Sequence, residues 1–472
     1  MSTDGGSIVG YQWDQIDGAP VTLDDPTSVT PSFTAPNVPV EDLFLIKFTL
    51  TVTDDTGQQA STFFYLSADA DNDGIPDSDE LANGLDPQDP NDADLDPDGD
   101  GVSSRDEITI HFTDPLDINS APAPLSSLVF AEPNLASCVA ATGVPFVGSL
   151  TFLICDFSSI TDITGIEALE SLNVLSLGGN SISDLTQLST LSQLETLTLF
   201  DNNIQDLSPL TSLSGLVSLN VGVNQISDLS PLSGLFSLLS LDVRNNQIVD
   251  LTPLAGLTGL DSLDVGSNQF TDTSPIDSLV NLTGLYLPNN QLLTLPVLPA
   301  GLQILQAQGN QLTQINDIAV LLDLFNVTVF NNDITSLPDL SALSLLETLQ
   351  VNDNFLSTLP NLPFSLMFLS AGGNQLADID ALAGHTQLQT LNLFDNHLTN
   401  QDAALGSALL TLTGLQDLDI SNNAIDDFIA LNNAITPATL DTDEGRPTIT
   451  SLRLAPNDFI NLDDSFPTLG VT

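Results

Sequence analysis

The chain has 472 residues, 62 acidic and 5 basic, for a formal net charge of −57. A surface of that sign repels nucleic acid and anionic membranes. It suits divalent cations and saline media, where repulsion is screened beyond about 10 Å. Two cysteines, Cys138 and Cys155, are too few for a disulfide-framed miniprotein, and no apolar run is long enough to span a bilayer.

Residues 1–68 read as β-sandwich. Short strands are predicted at residues 11–13 and 21–23. Phe44, Ile46, Phe48, Leu50 and Val52 alternate on one face of a longer strand, residues 54–57 turn, and residues 61–66 return. Trp13 is assigned to the core. The string GYQW…VTL…PSFTAP…FTLTVTDDTG resembles bacterial polycystic-kidney-disease-type (PKD-type) Ig-like modules. Such a sandwich has about seven strands, of which roughly five can be counted here, so the module is expected to be partial.

Residues 69–122 change abruptly to Asp, Asn, Gly and Pro. An acidic linker is the simple reading, but the spacing carries more. Asp69, Asp71, Asp73, Gly74, Asp77 and Glu80 fall at the first, third, fifth, sixth, ninth and twelfth places of a Ca²⁺ loop. Asp96, Asp98, Asp100, Gly101, Ser104 and Glu107 repeat it. Ca²⁺ is a hard cation that takes six to eight oxygens at about 2.3–2.6 Å. Alternate Asp side chains point inward, Gly allows the sharp turn, and the twelfth Glu can bind through both oxygens. Ile75 and Val102, at the seventh place, would offer backbone carbonyls, and Ser104 would act through water. The flanking sequence resembles thrombospondin type-3-like repeats of bacterial surface proteins, which implies a calcium-stiffened spacer; a calcium-triggered switch is the alternative.

Residues 123–158 read as the cover that the open end of a solenoid needs, and they resemble the N-terminal caps of internalin-like leucine-rich repeat proteins. Residues 150–157 form a degenerate first repeat with Cys155 in the place that Asn takes in later repeats. Cys155 is then either a free thiol or the partner of Cys138; the bridge is favoured in an exported protein and would contribute about 3 kcal/mol.

Residues 159–472 carry a repeat of frame LxLxxN. Asn202, Asn224, Asn246, Asn268 and Asn290 recur every 22 residues, with further copies at Asn180, Asn310, Asn332, Asn354, Asn374, Asn396, Asn423 and Asn457. A fixed period of this length specifies a stacked leucine-rich solenoid with a curved parallel sheet. Each LxL is a strand with both Leu inward, and the Asn amide satisfies backbone groups of adjacent turns. The period matches the 22-residue class of internalins. Two spacings shorten to 20 residues and contain Leu-Pro-x-Leu-Pro, at residues 295–299 and 359–363. Phe459, Leu462, Phe466 and Leu469 are candidates to cover the last turn.

The expected fold is mainly β, with short helical turns. Function in such a solenoid lies on the exposed strand positions of the concave sheet. Phe200, Asp242, Arg244, Tyr286, Phe330 and Phe394 are the candidate partner contacts there, because exposed aromatics on a regular face are typical anchors. Packing on neighbouring strands is their alternative role. His111, His385 and His397 form no metal spacing and no triad, so an enzyme is not expected. The expected protein is an extracellular or cell-surface monomer, without nucleic-acid partner or membrane insertion, holding a protein or glycan. A structural spacer or self-associating element is the alternative. Because the modules are of extracellular type and no secretory segment follows Met1, a fragment or truncated start is expected.

Overall fold

The computed structural model describes residues 8–17, 20–34, 45–54, 57–67, 69–111, 113–118, 120, 122–399, 408–425 and 451–453. The chain forms two compact units. One is Met1–Ser127 with Val144–Leu150, the other Leu128–Gly143 with Thr151–Thr472. The expected cap, residues 123–158, is therefore shared between them.

In the first unit, β1 (Ile8–Asp17), β2 (Leu45–Asp54) and β3 (Gln59–Ser67) form an antiparallel sheet with β2 in the middle. Ile46 and Phe48 are buried as their alternation requires. Trp13 is half-buried, its ring against Phe48 and Phe64, and its indole N–H donates to the Ser28 carbonyl at 3.1 Å. Two expectations change. Among the described residues the module is one three-stranded sheet, and residues 21–23 are not a strand. The Val21 N–H donates to the Gln15 side chain at 2.9 Å, so it is not available to a backbone ladder.

The second unit begins with a helix, Pro133–Ala141, that has Pro in its first turn. Among the described residues fourteen three-residue strands follow, from β4 (Phe152–Ile154) to β17 (Ser451–Arg453), in one parallel sheet ordered as in the sequence. In β8 (Ser240–Asp242) the central Leu241 is buried while Ser240 and Asp242 point outward, and Val243 is buried just beyond. This alternation recurs turn after turn and builds a core of Leu, Ile and Val.

The repeat Asn closes each turn. Asn246 Nδ2 donates to the carbonyls of Val221 and Val243, both at 3.0 Å, and its Oδ1 accepts from the Ile226 N–H at 2.9 Å. One buried amide thus satisfies backbone groups of two successive turns. On the opposite side, Pro starts short 3₁₀ turns at Ser208–Ser212, Ser230–Leu232, Thr252–Leu254 and Ser274–Ile276. Asp206, Asp228, Asp250 and Asp272 accept the first N–H of these turns at 2.8–2.9 Å. The two 20-residue repeats, between β10 (Gly284–Tyr286) and β11 (Ile304–Gln306) and between β13 (Thr348–Gln350) and β14 (Phe368–Ser370), have no such turn. Asn457 and the four candidate residues for covering the last turn lie outside the described residues.

The first turn departs from its sequence reading. Leu153 pairs with Leu175, which sets Cys155 beside Leu177, the second inward Leu of its strand. Cys155 is buried accordingly, and Ser158 takes the Asn place instead. Cys138 and Cys155 are disulfide-bonded, tying the helix to this turn. Glu132 adds a polar tie, accepting from the N–H groups of Thr161 and Asp162 at 2.6 and 2.8 Å.

Candidate functional site

The two acidic loops fold alike. Asp69 accepts from the Gly74 N–H at 3.2 Å and Asp73 from the Ile75 N–H at 2.7 Å. In the second loop, Asp96 accepts from Gly101 at 3.0 Å and Asp100 from Val102 at 2.8 Å. Gly74 and Gly101 have φ of 99° and 97°, which only glycine adopts freely. Ile75 buries its side chain with Leu85 and Ala93, and Val102 is buried too.

Asp69 and Asp96 spend both carboxyl oxygens on backbone N–H groups, whereas Asp71, Asp73, Asp98 and Asp100 each spend one. The second oxygens of Asp71, Asp73, Asp98 and Asp100 are buried without a hydrogen-bond partner. Glu80 and Glu107 are 0% exposed, and neither oxygen of either has a partner. Carboxyl oxygens of Asp69, Asp71 and Asp73 lie within 4.8 Å of one another, as do those of Asp96, Asp98 and Asp100. Burial pushes Glu80 up to about 7, with Asp71, Asp73, Asp92 and Asp77 adding repulsion. Burial raises Asp71, Asp98 and Glu107 in the same direction.

A third group was not foreseen: Asp73, Glu80 and Asp92 also converge within 4.8 Å. Two ninth-position side chains take on backbone bonds: Asp77 accepts from the Ala70 N–H at 2.7 Å, and the Ser104 hydroxyl donates to the Leu95 carbonyl at 3.2 Å. An all-oxygen, anionic donor set of this kind fits a hard divalent cation.

The sheet face is the second candidate. All six expected contact residues lie on it, but not in one cluster. Phe200, Tyr286, Phe330 and Phe394 are half-buried. Phe200 and Phe394 lie over Gly178 and Gly372 one turn earlier, where a Cβ would collide with the ring. Phe200 also meets Phe157 edge-on, with centroids 5.7 Å apart. Asp242, Arg244, Asp264 and Tyr286 are neighbours. Arg244 lies 3.6 Å from both Asp242 and Asp264, and its side chain is 49% exposed. Burial raises both of these carboxylates, opposed by the guanidinium, and burial with the nearby Asp264 raises Tyr286. Asp242 also accepts the Arg244 N–H at 3.0 Å, so part of its role is local.

Among the described residues the most exposed apolar side chains of this face come from the first turn: Phe152, Ile154 and Phe157 are 54%, 51% and 69% exposed. Sequence reading missed them because it set Cys155 in the Asn place, which shifts the inward and outward positions of this strand. Of the three histidines, His385 is buried, with its ring nitrogens 3.0 and 3.2 Å from the carbonyls of Leu382 and Leu362. No helix among the described residues is long and apolar enough to cross a membrane.

Two family models match: leucine-rich repeats (two copies) over residues 192–234, and a PKD domain over residues 1–66. Among solved structures, the internalin InlF of Listeria monocytogenes is 30% identical, over 73% of this chain and 100% of its own, with a TM-score of 0.53. The functional domain of InlJ from the same organism, which includes a cysteine ladder, is 27% identical over 66% of this chain and 80% of its own, with a TM-score of 0.53. A leucine-rich repeat protein of Leptospira interrogans shares the fold at 24% identity and a TM-score of 0.54, over 66% of this chain and 85% of its own. No curated protein sequence matches the chain.

Proposed function

The chain belongs to the internalin family of leucine-rich repeat proteins, and from that membership we propose that it is a surface or extracellular recognition protein whose sheet face holds a protein, or a glycan, partner. The observation that carries this reading is the exposed apolar group Phe152, Ile154 and Phe157 beside Phe200, on a face whose outward side chains the core does not require. Apolar aromatics left in water at the edge of a regular sheet are suited to anchor a partner. Farther along, the Asp242–Arg244–Asp264 group supplies polar specificity.

The acidic segment is a calcium-stiffened spacer in this proposal. Asp69, Asp71, Asp73, Asp77 and Glu80 hold one ion, with Asp96, Asp98, Asp100 and Glu107 holding the other. The Ile75 and Val102 carbonyls complete the two sets. What supports calcium is the pair of fully buried glutamates with no partner, since a buried charge without compensation is strongly unfavourable. With calcium bound, that cost turns into affinity; without it, the loops repel themselves.

The experiment is a protein and glycan array screen with the full chain, in millimolar calcium and in chelator. Recognition predicts a defined partner, lost on changing Phe152 and Phe157 to Ser while circular dichroism stays unchanged. One observation favours the other reading, a structural spacer or self-associating element: Phe200 and Phe394 already rest on glycines of the adjacent turn and are partly satisfied there. A folded chain that captures nothing in either condition, or captures it equally well after both substitutions, would sink the sheet-face proposal.

A further inference from the structure

We propose that the two calcium loops are unequal, because Asp92 gives the first a carboxylate that the second lacks. This deepens, and rests on, the calcium reading above. The same turn follows each loop. After the first, the Asp86 N–H donates to Asp92 Oδ2 at 2.7 Å and the Gln88 N–H to Asp86 Oδ1 at 3.2 Å. After the second, the Asp114 N–H donates to Ser120 Oγ at 2.9 Å and the Leu116 N–H to Asp114 Oδ1 at 3.0 Å. The carbonyls of Asp86 and Asp114 accept in turn from Asp89 and Asp117. Ser120 therefore stands where Asp92 stands one repeat earlier.

The difference is the second oxygen. Asp92 Oδ1 is buried without a hydrogen-bond partner, and Asp92 joins Asp73 and the wholly buried Glu80 in one group of ligand atoms within 4.8 Å. Serine spends its single oxygen on the turn and has none left over. The ninth position widens the gap. Asp77 is a carboxylate, whereas Ser104 is neutral and donates its hydroxyl to the Leu95 carbonyl. The first loop thus gathers Asp69, Asp71, Asp73, Asp77, Glu80 and Asp92. The second has Asp96, Asp98, Asp100 and Glu107.

Calcium affinity follows ligand charge and the rigidity of the site. The first loop fills at the lower calcium concentration. Its ion also fixes the stretch between the loops, because Asp92 belongs both to that stretch and to the ligand set. The second loop fills later, on a segment already ordered at one end.

The test is calorimetric calcium titration of the full chain as wild type, Asp92→Ser and Ser120→Asp. The wild type should show two classes of site about tenfold or more apart. Asp92→Ser should weaken the tighter class by about tenfold and leave the weaker one in place; Ser120→Asp should tighten the weaker class. A single class in the wild type, or a tight class unmoved by Asp92→Ser, overturns the inequality. Ser keeps the turn bond, as Ser120 does. If Asp92→Ser nevertheless fails to fold, a weak class that Ser120→Asp does not tighten overturns the proposal by itself. A wild type that takes up no calcium overturns the calcium reading as well.

Discussion

The residue before each repeat Asn from Asn180 to Asn423 adopts a left-handed backbone, with φ of 54° at Asp201, 52° at Asn245, 53° at Asn289 and 52° at Asn331. Gly, Asn and Asp tolerate that conformation; a β-branched side chain crowds its own backbone there. Val223 nevertheless occupies the place with φ of 56°, and it is 38% exposed, so it buries little in return. Replacing it with Asn, the residue used in several other turns, should raise stability by about 1 kcal/mol. A denaturation midpoint that stays put or falls in Val223→Asn would show that the strain is absorbed elsewhere. The strain was not legible in the sequence. The LxLxxN frame marks inward Leu and Asn, but says nothing of the torsion one residue before the Asn.

At the scale of the element, a turn of the solenoid is held by its Asn as much as by its Leu. Asn246→Ala leaves the Val221 and Val243 carbonyls and the Ile226 N–H without their side-chain partner inside the stack. The loss should be about 3 kcal/mol. Because each turn contacts only its neighbours, it should open the turns on either side before the distant ones. Hydrogen exchange that accelerates uniformly along the chain, or not at all, would contradict this. The regular turns were legible because the spacing of Leu and Asn is local and repeated. The first turn was misread because a single cysteine can imitate either position; only pairing of Leu153 with Leu175 fixes which. Asp92 was missed for a related reason. Loop spacing ends at Glu80, and the twelve-residue pattern carries no signal for an oxygen that returns from the next turn.

Over the whole molecule, the charge of −57 is distributed by purpose. Some carboxylates line the two loops. Others, such as Asp228 and Asp272, cap the starts of short helical turns, and hydrogen bonds from Ser230 and Ser274 hold them below the usual carboxylate range. Few cations offset them: Arg244 and Arg453 sit against sheet-face carboxylates, and Arg105 meets Asp94 at 2.7 Å. The succession of β module, acidic loops and solenoid was legible because each has its own local signature. The division of residues 123–158 between two compact units was not, since it depends on contacts distant in sequence.

That division gives the disulfide a second consequence. Residues 144–150 leave one unit for the other and return within the loop closed by Cys138 and Cys155. A protease that cuts anywhere in residues 139–154 severs the backbone but frees nothing. Electrophoresis of such nicked protein should give one band without reductant and two with it; two bands without reductant would mean the bridge is not formed. Removing the cover of the first turn therefore takes two different chemistries, hydrolysis and reduction, and neither alone is enough.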